Sequence, residues 1–280
     1  MHVGISYRSE IPKKIRSLVK SGLVTMLEII PEAYAFARTR ELLLEQLLHD
    51  FNLPYCFHFV GFSPASPQNK REFGFRKRVR MAKIFQPLWI SEHATLQKGG
   101  DYNFEMNLPF PRTEETLELL VENLKLIKKE TGRELLLENI PASWEFKEST
   151  LSAADFFSKA VKRADCGILL DVHNLHTDLL NFGFDAKAFI RSLPMDRVRE
   201  IHVAGGEKYR DVFLDGHCNR LSPGDFELLR FALVRCQPQL VLLERENNFR
   251  NLSDLESDLK AIWKLCEKRK KTNSKPNTAA

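Results

Sequence analysis

With 280 residues, 43% of them hydrophobic and 28% charged, the chain has the composition of a globular protein with a sizeable core. This excludes a disordered chain, a fibrous repeat and a small disulfide-stapled scaffold, and no apolar run approaches the roughly 20 residues that cross a bilayer. The net charge of +5 is concentrated in the tail KRKKTNSKPNTAA, so charge gives no reason to expect a nucleic-acid or membrane partner.

Eight short β-rich apolar runs alternate with helical stretches along most of the chain. HVGISY (2–7), VTMLEII (24–30), TRELLLEQLLHD (39–50, helical) and YCFHFV (55–60) come first. PLWISEH (87–93), the helix of 113–132 and ELLLEN (134–139) follow. Then come SAADFFSKAVKR (152–163, helical), GILLDV (167–172), DAKAFIRSL (185–193, helical) and VREIHVAG (198–205). The helix of 222–236, QLVLLER (239–245) and the helix of 253–268 complete the series. Ser152, Ser222 and Ser253 each stand three residues before a carboxylate, the spacing of a capping box. Pro223 suits a first helical position and Gly132 a helix stop.

Eight β-α units with near-continuously apolar strands predict an α/β fold, a single (β/α)8 TIM-type barrel over residues 1–267. The polar residues from 268 to 280 are expected to form a flexible basic tail. Lys268–Lys271 could meet an acidic peptide or anionic lipid, with a solvated end as the simpler reading. The N-terminus has no apolar signal core. The five cysteines are scattered without a CxxC pair, so neither a disulfide framework nor a zinc finger is expected, and a reducing cytoplasm is the expected setting.

A barrel builds its site at the C-terminal ends of its strands. Here those ends carry Glu28, His58, Glu92, His93, Glu138, Asn139, Asp171, His173, Asn174, His176, His202, Glu244 and Glu246. The loop behind the seventh strand adds Asp215, His217 and Cys218. Six of the eight histidines fall in or near this set. Neutral imidazole with carboxylate suits Fe, Mn or Zn. The plausible ligands outnumber the three or four that one ion needs. Either several only support the ligands, or more than one ion is bound. Thiolate ligation is not expected, and Cys218 is kept only as a possible neighbour of the site. His173 and His176 cannot both face inward if the strand continues through them.

The ordered pieces MLEIIPEAY, FHFVGFS, ISEHATL, LPFPRTEETL, LLENIPAS, ILLDVHNLH, EIHVAGG, DGH and LLERE span nearly the whole chain. Together they resemble the DUF692 family of multinuclear non-heme iron-dependent oxidases. The resemblance implies two or three irons and O2-dependent oxidation of a cysteine in a ribosomally made precursor peptide. It also implies, for many members, a separate peptide-presenting partner protein. By motif, it implies the ligands His58, His93, Glu138, Asp171, Asn174, His202, Asp215, His217 and Glu244. The sequence departs from the family's pattern at HFVGFS, at Glu92 and in GGDYNFEMN, which implies an altered pocket wall. A divalent-metal sugar isomerase, an endonuclease IV-like hydrolase and a non-catalytic metal-binding barrel are the competing readings.

Overall fold

The computed structural model describes residues 1–68, 70–99, 102–142, 144–249 and 251–273, with no description of the side chains of 105 and 269–273. Eight strands form a closed parallel barrel: β1 (His2–Ser6), β2 (Met26–Ile29), β3 (Tyr55–Phe59), β4 (Ile90–His93), β5 (Leu135–Glu138), β6 (Gly167–Asp171), β7 (Val198–Val203) and β8 (Leu240–Leu243). Each pairs with its sequence neighbours, and β8 closes on β1 from His2↔Leu240 to Ile5↔Leu243. Every strand lies inside its predicted run.

The helices are α1 (Pro12–Lys20), α2 (Glu32–Ala35), α3 (Arg38–Phe51), α4 (Phe73–Phe85), α5 (Glu114–Thr131), α6 (Ala153–Ala164), α7 (Val172–Phe182), α8 (Ala186–Ser192), α9 (Pro223–Leu233) and α10 (Ser253–Asn273). Two antiparallel hairpins interrupt the pattern. Leu96–Gly99 pairs with Tyr102–Leu108 after β4, and Glu207–Tyr209 with Val212–Leu214 after β7. Among the described residues, no helix is long and apolar enough to cross a membrane.

The helix ends follow local chemistry. Ser152 Oγ accepts the Asp155 N–H (3.1 Å), and Ser222 with Asp225 closes a full capping box. Gly132 stops α5 in the left-handed region (φ 67°). At Ser253 the structure corrects the expectation: the helix already starts there, and its hydroxyl donates to Asn251 Oδ1 (2.6 Å). Thr113 with Thr116 makes a second capping box, with a hydroxyl where the motif has a carboxamide or carboxylate. α10 continues past the boundary drawn at residue 267. Most of the basic tail, the side chains of 269–273 and all of 274–280, lies outside the described residues.

Strand alternation decides what enters the barrel. Outward residues such as Phe57, Phe59, Leu137, Leu170, Ile201 and Val241 join the large core beneath the helices. Inward residues Met26, Cys56, Trp89, Leu136, Leu169, Leu240 and Leu242 form a separate apolar floor. Two residues further along the same strands stand Glu28, His58, Ser91, Glu138, Asp171 and Glu244, and His93 lies two beyond Ser91. The apolar floor therefore turns into a polar ceiling within one pleat.

Candidate metal centre

Three groups of side chains overlap across this ceiling, each offering ligand atoms within 4.8 Å of one another: His58–His93–Glu138, Glu138–Asp171–His202 and Asp171–His217–Glu244; a fourth, Glu28–Glu200–His202, shares His202 with the second. β4 and β5 place His93 beside Glu138, and β6 and β7 place Asp171 beside His202. Glu138 Oε2 lies 3.5 Å from His58 Nε2 and 3.4 Å from His93 Nε2. Its Oε1 is 3.8 Å from His202 Nδ1. Glu244 Oε2 is 3.2 Å from His202 Nδ1 and 3.4 Å from His217 Nδ1. Glu138 belongs to the first two groups and Asp171 to the last two.

These atoms approach closely without bonding one another. Glu138 Oε2, Asp171 Oδ2, Asn174 Oδ1, His202 Nδ1, Asp215 Oδ1 and both nitrogens of His217 are buried and make no hydrogen bond to the described residues. Asp215 Oδ1 and His217 Nε2 are only 2.7 Å apart, yet misaligned. Orphaned buried polar atoms cost stability unless something else satisfies them. A set of convergent oxygen and imidazole nitrogen atoms fits divalent metal ions.

The electrostatics agree. Burial lifts the Glu138 carboxyl to about 8 and, with help from Asp215, the Asp171 carboxyl to about 6. Burial likewise lifts Glu28 to about 7. Burial, with His93 and His202 nearby, drives His58 well below its ordinary value, so its imidazole is neutral and has a lone pair to give. For His202, burial pulls the pKa down, but Glu28 and Glu244 outweigh it and hold the ring well above its usual range. Without cations, this many carboxylates cannot all stay ionised in a dry space.

A second tier fixes ring orientation. Ser91 Oγ sits 2.9 Å from His58 Nδ1, which turns Nε2 toward Glu138. Glu92 accepts from the Phe62 and His93 backbone amides and lies 3.3 Å from His93 Nδ1. Glu28 Oε2 takes the other face of His202, 3.0 Å from Nε2. Asn139 exchanges two hydrogen bonds with the Asp171 backbone and accepts a third from Asn174 Nδ2, tying β5 to the start of α7.

β6 stops at Asp171, whose Oδ1 caps α7 by accepting the Asn174 N–H (2.8 Å). His173 and His176 are therefore helical, and strand alternation does not apply to them. Both turn Nδ1 to Asp225 Oδ1, at 2.9 and 2.8 Å. Cys218 is buried, with its sulfur 3.3 Å from the Asn219 amide nitrogen, and Glu246 is turned outward to Arg8 (2.7 Å). Neither joins the three groups.

Two buried carboxylates escaped sequence reasoning. Glu200 accepts the Trp89 indole N–H (2.7 Å) and lies 3.5 Å from His202 Nε2. Its signal was the period of two that it shares with His202. Asp225 is the acceptor for both α7 histidines, and it was legible only as a capping residue.

The loop with Asp215 and His217 is held at Gly205, whose carbonyl accepts the Cys218 and Asn219 amides (2.8 and 2.9 Å). His217 itself sits at φ 45°, a strained position for a non-glycine residue. A Cβ on Gly205 would come within 2.3 Å of the Asn219 and Arg220 carbonyl oxygens. Gly205→Ala is expected to displace this loop and weaken the Asp171–His217–Glu244 group while leaving the His58–His93–Glu138 group intact. Metal titration of the variant, with one fewer ion held per chain, checks this.

A family model described as "RiPP precursor modification enzyme MbnB/TglH/ChrH" matches residues 2–267. A UPF0276 protein of Anaeromyxobacter sp. is 33% identical over 227 residues, 80% of this chain and 79% of its own. One from Rhizorhabdus wittichii is 31% identical over 207 residues, 74% of each chain. Among solved structures, a D-tagatose 3-epimerase-like protein (TM-score 0.62, 16% identity, 98% of this chain and 100% of its own) and an L-ribulose 3-epimerase (0.62, 11%, 99% of each) share the fold. The full-length match, the pairwise identities and the barrel-mouth residues agree: the chain belongs to the MbnB/TglH/ChrH family of enzymes that modify precursors of ribosomally made peptides.

Proposed function

We propose that this chain is an iron- and O2-dependent oxidase that modifies a cysteine of a ribosomally synthesised peptide, with a separate protein presenting that peptide. The observation that carries the reading is the sharing of Glu138 and Asp171 between adjacent groups. A carboxylate shared by two groups could serve two cations, so the overlap favours a row of ions over a single one. In this reading His58, His93 and Glu138 would hold the first, Glu138, Asp171 and His202 the second, and Asp171, His217 and Glu244 the third. Asn174 and Asp215 bring further unpartnered oxygens to the row.

Iron held there would supply the redox chemistry. The protein does the rest. Ser91, Glu92 and Glu28 fix the rings, and the Trp89 and leucine floor keeps water out from below. A substrate thiol must lose its proton to ligate. Asp215 would take it, since its side chain, 23% exposed, is the most open of the set. The floor and ceiling bring reactants together, worth up to about 7–11 kcal/mol in an ideal case. The likeness to sugar epimerases is one of fold and supports no sugar chemistry here.

Metal analysis after anaerobic purification, with Mössbauer spectra, tests the proposal. Two or three irons per chain and O2 uptake that depends on a cysteine peptide are expected. A single ion per chain, or no uptake with any cysteine peptide encoded near the gene, overturns it.

A further inference from the structure

A cavity of about 480 Å3 opens beside the metal centre, within the size range of small-molecule sites. Its inner wall is made by residues that directly follow candidate ligands: Ala94 after His93, Asn139 after Glu138, and Leu175 after Asn174. Phe156, Phe157 and Phe189 line the rest, and Trp144 and Phe182 stand at its edge, each about half exposed (49% and 57%). Nothing in the metal chemistry requires an aromatic chamber of this size.

Two carboxylates line this space, Glu145, which is paired with Arg112, and Asp178. Asp178 on α7 is only 5% exposed. Its Oδ1 accepts the Ala142 N–H (2.7 Å), and among the described residues none donates to Oδ2. An oxygen facing so apolar a space gains from a donor on the guest. Arg112 also lines the cavity, its guanidinium bonded to Glu145 and to the Leu151 carbonyl. Glu145 balances that charge, and stripping a full cation of water in so apolar a chamber is costly. The complementary guest is therefore a flat apolar body with a neutral N–H or O–H tip.

We propose that this cavity is a substrate subsite that takes an aromatic side chain ending in a hydrogen-bond donor, tyrosine or tryptophan, from the peptide position flanking the oxidised cysteine. Its place beside that cysteine rests on the oxidase reading; its affinity for the ring does not. Asp178 is the specificity-determining residue, and the phenyl rings supply the apolar contact.

The test measures binding to the full-length protein by ligand-observed NMR, without O2. The probes are the N-acetyl amides of tyrosine, phenylalanine, leucine and lysine. The tyrosine amide is expected to bind about five- to tenfold more tightly than the phenylalanine amide, one hydrogen bond's worth. Asp178→Asn keeps a carbonyl oxygen for Ala142 N–H, so an unchanged melting temperature is expected with the tyrosine preference gone. Equal affinity for tyrosine, phenylalanine and leucine overturns the proposal. Tightest binding of lysine, or no binding at 10 mM, overturns it as well.

A second arm loads the protein with zinc, which is redox-silent, and uses N-acetyl-Cys-Tyr-amide. Thiolate and ring binding together should give at least tenfold tighter binding than the tyrosine amide alone. No gain would separate the cavity from the centre and sink the subsite. A full gain with no O2 uptake in the iron-loaded protein would sink only the oxidase reading.

Discussion

Glu138→Gln is expected to lower the metal held per chain by more than one ion and to lower thiol-dependent O2 uptake by about a thousandfold or more. Glu138 faces His58 and His93 through Oε2 and His202 through Oε1, so its loss strips two neighbouring groups at once. Changing a residue that only supports a ligand typically costs about 10–100-fold, and Glu28→Gln serves as that milder comparison. Metal-free stability should move the other way. Burial raises the Glu138 carboxyl to about 8, so in the folded metal-free chain it stays protonated up to that pH, while unfolded it ionises near 4.5. Stability is therefore lost as pH rises between those values. A neutral amide removes that loss. Calorimetry of the metal-free variant near pH 8 should show an unchanged or higher melting temperature. Full metal content in the variant would refute the bridging role.

Asp225→Ala is expected to cost about 3–5 kcal/mol of stability, the range for breaking a buried charge pair. Asp225 is fully buried and accepts from His173, His176, and the amide and hydroxyl of Ser222 (2.8 and 2.6 Å). Burial alone would raise its pKa, but these hydrogen bonds outweigh it and hold the carboxyl well below the ordinary value. A depressed carboxyl contributes stability that is full above about pH 4 and fades as pH falls through its folded value. The gap between wild type and variant should accordingly shrink in acid. Urea midpoints at pH 7 and pH 3 check both points. A loss under about 1 kcal/mol at pH 7, or a gap no smaller at pH 3 than at pH 7, would overturn this account.

The barrel was legible because each strand is an apolar run with a polar residue at its end, a pattern that survives without long-range information. The same rule exposed His58, His93, Glu138, Asp171, His202 and Glu244. The exact end of β6 was not legible. GILLDV reads as a strand, but Asp171 stops it by capping α7, and this capping role turns His173, Asn174 and His176 into helical residues. Glu200 was hidden because its charge falls mid-strand, where only the Trp89 indole and His202 justify it. α4 escaped because FGFRKRVRMAKIF interleaves basic residues with its buried Phe75, Met81, Ala82 and Phe85. The hairpin of Leu96–Gly99 and Tyr102–Leu108 escaped because its apolar residues Tyr102, Phe104 and Met106 are exposed and so do not mark a buried face.

Asp171 divides its carboxylate between two duties: one oxygen starts α7, and the other is turned, unsatisfied, toward its neighbours across the barrel mouth. Helix initiation and ion binding would thus draw on separate oxygens of one side chain. Amide exchange at Asn174 would report whether an ion bound at the second oxygen steadies the first turn of α7 by fixing the carboxylate.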